Sequence, residues 1–196
     1  MPVAVETHQE FVIPPHKLWT RDECTVLERS GLVNLDGYEL IEGELIQKLP
    51  KGQPHILAVA LLASWLRHVF GELLVVTEPT IDLRPQDNPT SVPEPDLIVL
   101  TRSVRGLSAL ARPQDLQLVA EVSSSSLAFD MTTKARLYAR SGIQEYWVLD
   151  VEAQRLMIYR EPTESGYGSI QAYGSEEFVS PLAAASAEVR VIDLLQ

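Results

Sequence analysis

Three acidic side chains and one lysine stand where this chain could assemble hydrolytic chemistry. Asp96 opens the apolar run Leu97-Ile98-Val99-Leu100, and Glu121 interrupts the run from Leu118 to Val122. Glu44 follows a hairpin turn, and Lys134 lies in the helix predicted after Ser126. Asp96 and Glu121 therefore abut or sit within segments that read as buried strands. A carboxylate removed from water is costly unless it is paired, hydrogen-bonded or holding a metal. Two or three such groups beside a lysine point to a Mg²⁺ site for phosphodiester hydrolysis. One or two carboxylates and several waters suffice to hold that ion. It lowers the pKa of a bound water and offsets charge developing on the phosphate, while the lysine orients the water or stabilises the pentavalent phosphorus.

Those groups must come from different strands whose ends meet, because one short segment cannot wrap half an octahedron. Lys134 adds a helix-level reason. At 3.6 residues per turn, Leu127, Met131, Lys134 and Tyr138 share one stripe, with Asp130 and Leu137 at its margin. A lysine on an apolar stripe needs a partner, and Asp130 and Glu121 are the nearest anions in sequence. A snorkelling lysine in an i,i+4 pair with Asp130 is the plainer alternative. Asp130 either orients Lys134 or caps the helix. His55, near Lys51 at a helix start, is either structural or a phosphate contact through that helix N-terminus.

The elements that must position these groups follow from pattern. Thr20 to Glu23 is a capping box, and Gly31 closes a short helix over 21–30. Strand-forming residues flank Glu42-Gly43, a hairpin turn. Residues 54–70 are apolar on most sides, which predicts a buried helix ended by Gly71. Strands are predicted at 73–77, 80–83, 96–100, 116–123, 146–150, 155–160 and 167–173, with a strand or turn at 189–195. Residues 103–111 are predicted helical, as are 127–141. Residues 1–17 read as an N-terminal arm, and 18–196 as a single domain of α/β class with a mixed central sheet flanked by helices.

Net charge is −11, which argues against nonspecific coating of nucleic acid. The segment 101–140 alone is basic, with six basic against three acidic side chains. Because it contains Glu121 and Lys134, it is expected to face an anionic substrate. The lone cysteine, Cys24, allows no intramolecular disulfide, so a cytoplasmic setting is expected. No secretory signal or membrane span is expected. His8, His16 and His68 lack zinc-ligand spacing with Cys24. The serine run 123–126 has no Gly-x-Ser-x-Gly context for a serine hydrolase.

The ordered set Tyr38-Glu39-Leu40-Ile41-Glu42-Gly43-Glu44, Glu94-Pro95-Asp96-Leu97, Val119-Ala120-Glu121-Val122-Ser123, Asp130, Lys134 and Tyr138 through Asp150 resembles the Uma-type restriction endonucleases. These form a bacterial branch of the PD-(D/E)XK nuclease superfamily, and the resemblance runs from about Tyr38 to Leu194. It implies a restriction-endonuclease-like core and Mg²⁺-dependent endonuclease chemistry on DNA, with Mn²⁺ as substitute. Carried over, Asp96 is the central metal ligand and Glu121 the second carboxylate. Glu44 matches the acidic residue from the N-terminal part of the core. The superfamily places a lysine two residues beyond the second carboxylate, where this chain has Ser123, and Lys134 is the expected replacement. A homodimer would allow two strand cuts. The competing expectations are a catalytically silent interaction module on the same fold and a hydrolase of smaller phosphate substrates.

Overall fold

The structure, a computed structural model, describes residues 16–83, 87 and 89–196. Of the expected arm, residues 1–15 lie outside the described residues. Helix α1 (Arg21–Arg29) begins at the expected capping box: Thr20 Oγ accepts from Glu23 N, and the Glu23 carboxylate accepts from Thr20 N. The hairpin β1 (Tyr38–Ile41) and β2 (Glu44–Gln47) closes through Glu42 and Gly43, both at positive φ (52° and 84°). That is the two-residue turn whose twist matches antiparallel strands. Glycine is needed at position 43 for a second reason, since a Cβ there would lie 2.8 Å from that of Leu18.

Helix α2 (Gln53–Phe70) ends at Gly71, which takes φ 100°. Its burial is narrower than expected. Ala58, Leu62, Ala63 and Leu66 are sealed in, while Ile56 and Leu57 are close to half exposed. One stripe meets the sheet and the rest meets water. Among the described residues no helix is long and apolar enough to cross a membrane.

Six strands form the main sheet in the order β3-β4-β5-β6-β7-β8. They are β3 (Val75–Thr77), β4 (Leu97–Leu100), β5 (Leu116–Ser123), β6 (Glu145–Asp150), β7 (Arg155–Thr163) and β8 (Gly166–Gly174). Only β5 and β6 run parallel, and the remaining neighbours are antiparallel. The sheet is mixed and flanked by helices, as expected. Both faces are apolar because both are covered. Leu97, Leu118, Trp147 and Leu149 pack beneath α2 and the C-terminal segment. Ile98, Val119, Tyr146 and Val148 pack under the helical stretch 127–140. That stretch consists of α3 (Leu127–Phe129), a π-helical turn (Asp130–Lys134) and α4 (Ala135–Arg140). Two short strands, β9 (Phe178–Val179) and β10 (Val189–Arg190), and the 3-10 turn Val191–Leu194 complete the C-terminal segment.

Three expectations need correction. The helix expected over 103–111 is only the 3-10 turn Val104–Gly106, because Gly106 disfavours continuation and the apolar Val104 and Leu110 stay exposed instead of forming a buried stripe. The strand expected over 80–83 reduces to one bridge, Ile81 with Ala111. The basic segment is not one face. Arg102, Arg105 and Arg112 follow the end of β4 or precede β5, whereas Asp96 and Glu121 lie toward the opposite ends of those antiparallel strands. Arg102 is spent on Asp115 at 3.0 Å.

Candidate active site

Antiparallel pairing of β4 with β5 sets Leu97 against Ala120. Asp96, one residue before Leu97, is thereby brought beside Glu121, one residue after Ala120, although 25 positions separate them in sequence. Asp96 N donates to Glu121 Oε2 (3.3 Å), and Val122 N donates to Asp96 Oδ2 (2.9 Å). On the cleft side, Asp96 Oδ1 accepts from Lys51 Nζ (2.9 Å). His55 Nε2 is 3.4 Å from the same oxygen but is not aligned to donate; it is a neighbour, not a hydrogen bond. Burial raises the Asp96 pKa, but His55, Lys51 and the Val122 amide outweigh burial and bring it down to about 2.

Lys134 reaches the pair from the π-helical turn. Its Nζ donates to Glu121 Oε1 (2.9 Å), lies 3.0 Å from Glu39 Oε2 and 3.9 Å from Asp130 Oδ1. A π turn inserts one residue into the helical repeat and breaks the i→i−4 ladder. Ala135 N bonds to Asp130 O five residues back, and the buried Tyr146 hydroxyl donates to the same carbonyl (3.1 Å). Ser123 Oγ and Ser126 Oγ both donate to Asp130 Oδ2 (2.7 and 2.6 Å). Thus Ser123, where the resemblance implied a lysine, anchors the start of the turn that carries Lys134. Asp130, pinned by two serines, supports Lys134 from one turn away.

Below Lys134 on the same helical stretch, Tyr138 donates to Glu121 Oε1 (3.1 Å). Burial, and after it the charge of Glu121, push this phenol well above its usual pKa, so it remains a donor. Burial opposes the charge on Lys134 too. The facing carboxylates of Glu121, Glu39 and Asp130 more than reverse that, so its pKa rises and it stays an ammonium. Glu121 is raised well above the usual carboxylate range, by burial first. Lys134 pulls it down, but Asp130, Asp96 and Glu39 push it up again, because two ammoniums, Lys134 and Lys51, face four neighbouring carboxylates. The cluster carries an excess of negative charge that a cation would relieve.

Asp96, Glu121 and Lys134 are thus brought together, and the structure excludes Glu44 from them. That residue is more than half exposed and pairs with His16 (3.0 Å), sharing no hydrogen bond or ion pair with the other three. Glu39 takes its place. Its Oε1 accepts from Glu94 N (2.6 Å), and its strand bridges Val92 just ahead of β4. The physical reason is position along the hairpin: its register puts Glu39 and Glu44 on one face, but Glu44 sits exposed beside the turn, whereas Glu39 lies at the far end of β1, where Glu94 N and Lys134 meet it. We expect Glu39→Gln, which keeps the acceptor for Glu94 but loses the charge opposite Lys134, to cost about 1–3 kcal/mol in urea unfolding. Glu44→Gln should change stability by less than about 0.5 kcal/mol. A larger loss at position 44 than at 39 would refute this placement.

These groups line a cleft of about 680 Å³, open to solvent, with Lys48, Lys51, Glu78 and Glu94 at its rim. Lys48 pairs with Glu94, and Lys51 bridges Glu78 (2.6 Å) to Asp96. Among the described residues no group of three His, Cys, Asp or Glu side chains is arranged to hold one ion. Two adjoining carboxylates, Asp96 and Glu121, are present, and Mg²⁺ commonly takes no more than two from a protein, completing its shell with water and substrate phosphate. The donors fit that ion better than one needing a full protein cage.

The family model for Uma2, described as a putative restriction endonuclease, matches residues 33–192. Among curated proteins nothing matches. Among solved structures, the crystal structure of a putative nuclease belonging to DUF820 from Anabaena variabilis is similar. It is 19% identical, covers 90% of this chain and 97% of its own, and has a TM-score of 0.69. At that identity the likeness concerns the fold.

Proposed function

Because the chain belongs to the Uma2 family, we propose that it is a metal-dependent endonuclease that hydrolyses phosphodiester bonds of DNA. The observation that carries the reading is the meeting of Asp96, Glu121 and Lys134 in one open cleft. Asp96 and Glu121 would hold Mg²⁺, with Mn²⁺ as substitute. When bound, such an ion supplies a water of lowered pKa and a positive charge beside the phosphate oxygens. Lys134, held as an ammonium, cannot act as a general base. It donates hydrogen bonds that orient the attacking water and offsets charge growing on the phosphate. Tyr138 and Glu39 are positioning residues: the first fixes the Glu121 oxygen that Lys134 uses, and the second fixes Lys134. Asp130 does the same from the π turn.

One observation favours the competing reading, a catalytically silent module on the same fold. Asp96 and Glu121 each already pair with an ammonium, so each has a cationic partner without a metal. Supercoiled plasmid separates the two. The nuclease reading expects nicking that requires Mg²⁺ or Mn²⁺, stops with EDTA and returns on adding excess metal. A folded protein that neither nicks plasmid nor binds Mn²⁺ by calorimetry would establish the silent module instead.

A further inference from the structure

We propose that Lys51 is an exchangeable counter-cation of Asp96. Its ammonium holds the metal's place on Asp96 Oδ1 and, once displaced, becomes a phosphate contact at the start of α2. This rests on the metal-dependent reading above and extends it to a residue that reading does not use. The two oxygens of Asp96 differ in kind. Oδ2 is tied to the sheet by Val122 N, whereas Oδ1 faces the cleft and takes its hydrogen bond from Lys51. A divalent ion bound to Oδ1 at roughly 2.1 Å would compete with the ammonium for that oxygen and repel it, like charge against like.

The two lysines of the cleft are unequal in this respect. Lys134 is buried among three carboxylates and has nowhere to go. Lys51 sits in the loop between β2 and α2 with 38% of its side chain exposed, and its other partner, Glu78, is 66% exposed. The Glu78 contact is cheap to separate, and at the buried Asp96 end the incoming ion replaces the charge that leaves. A released Lys51 stays beside the first turn of α2, an 18-residue helix with no side-chain cap and no acidic residue in that turn. Helix starts of this kind favour anions. A second feature marks the same place: His55 Nε2, on a side chain nine-tenths buried, lies 3.4 Å from Asp96 Oδ1 without an aligned hydrogen bond. A phosphate oxygen entering as Lys51 moves would meet the ammonium and the helix start, with this nitrogen behind Asp96 Oδ1.

Calorimetric titration of the full chain with Mn²⁺, comparing wild type, Lys51→Met and Lys51→Arg, tests the exchange. Lys51→Met should bind Mn²⁺ about fivefold to tenfold more tightly, having lost the competing charge, and Lys51→Arg should stay near wild type. Short duplex DNA with Ca²⁺ replacing Mg²⁺, followed by fluorescence anisotropy, tests the second half. Lys51→Met should bind about fivefold to tenfold more weakly, having lost a phosphate contact. Equal or weaker Mn²⁺ affinity in Lys51→Met overturns the counter-cation role, and unchanged DNA affinity overturns the phosphate role. No Mn²⁺ binding by any of the three proteins is a different failure, that of the metal-dependent reading itself.

Discussion

Asp96→Asn should reduce divalent-dependent plasmid nicking by about a thousandfold or more and still leave a folded protein. The amide keeps the shape of the carboxylate and can still accept from Val122 N, so the junction of β4 and β5 survives. What it loses is the charge on the oxygen facing the cleft and the ion pair with Lys51. The expected stability loss follows from the pKa near 2. A carboxyl depressed from its unfolded value favours the folded state by roughly 2 kcal/mol at neutral pH. Because the folded value is the lower one, that contribution is complete above the unfolded pKa and disappears as pH falls toward 2. The gap between wild type and Asp96→Asn in thermal melts should therefore be present at pH 7 and shrink by pH 3. A variant that nicks plasmid as fast as wild type would remove Asp96 from the chemistry. A gap that widens at pH 3 would contradict the charge state assigned here.

Local elements were legible where one residue type decides the backbone. Thr20 with Glu23 starts α1, Glu42-Gly43 turns the hairpin, and Gly71 ends α2. The pairing of Asp96 with Glu121 was also legible, because each polar residue sat against an apolar strand run. Three things were not. Glu39 and Glu44 are both acidic residues of one hairpin and share a face by its register, and only the approach of Glu94 and Lys134 to the far end of β1 selects Glu39. The π turn at Asp130–Lys134 leaves no mark in hydrophobic spacing, because the apolar residues on either side still fit a helix. Its first carbonyl, that of Asp130, takes a second donor from Tyr146, 16 residues away. Lys51 lies in a loop with no periodicity, and its approach to Asp96 follows from the way β2 leads into α2. Each miss is a tertiary decision imposed on a locally ambiguous segment.

The largest effect on stability is expected from Lys134→Met, because this ammonium is the positive charge common to Glu121, Glu39 and Asp130. Methionine fills the space but leaves three buried carboxylates facing one another. Removing one partner of a buried ionic group typically costs about 3–5 kcal/mol. The pH dependence identifies the cause. The Lys134 pKa is raised on folding, so its contribution is fully present below the unfolded lysine pKa and declines only at strongly alkaline pH. Glu121 runs the other way, since its carboxyl is raised and its charged form weakens the fold as pH climbs above the unfolded carboxylate range. Without Lys134 that opposition grows, and protonation at low pH relieves it. Urea unfolding should therefore show the full deficit of Lys134→Met at pH 8 and a clearly smaller one at pH 5. A deficit independent of pH between 5 and 8 would mean that the lysine stabilises by packing its stem, not by neutralising the cluster, and the electrostatic account of the cleft would have to be abandoned.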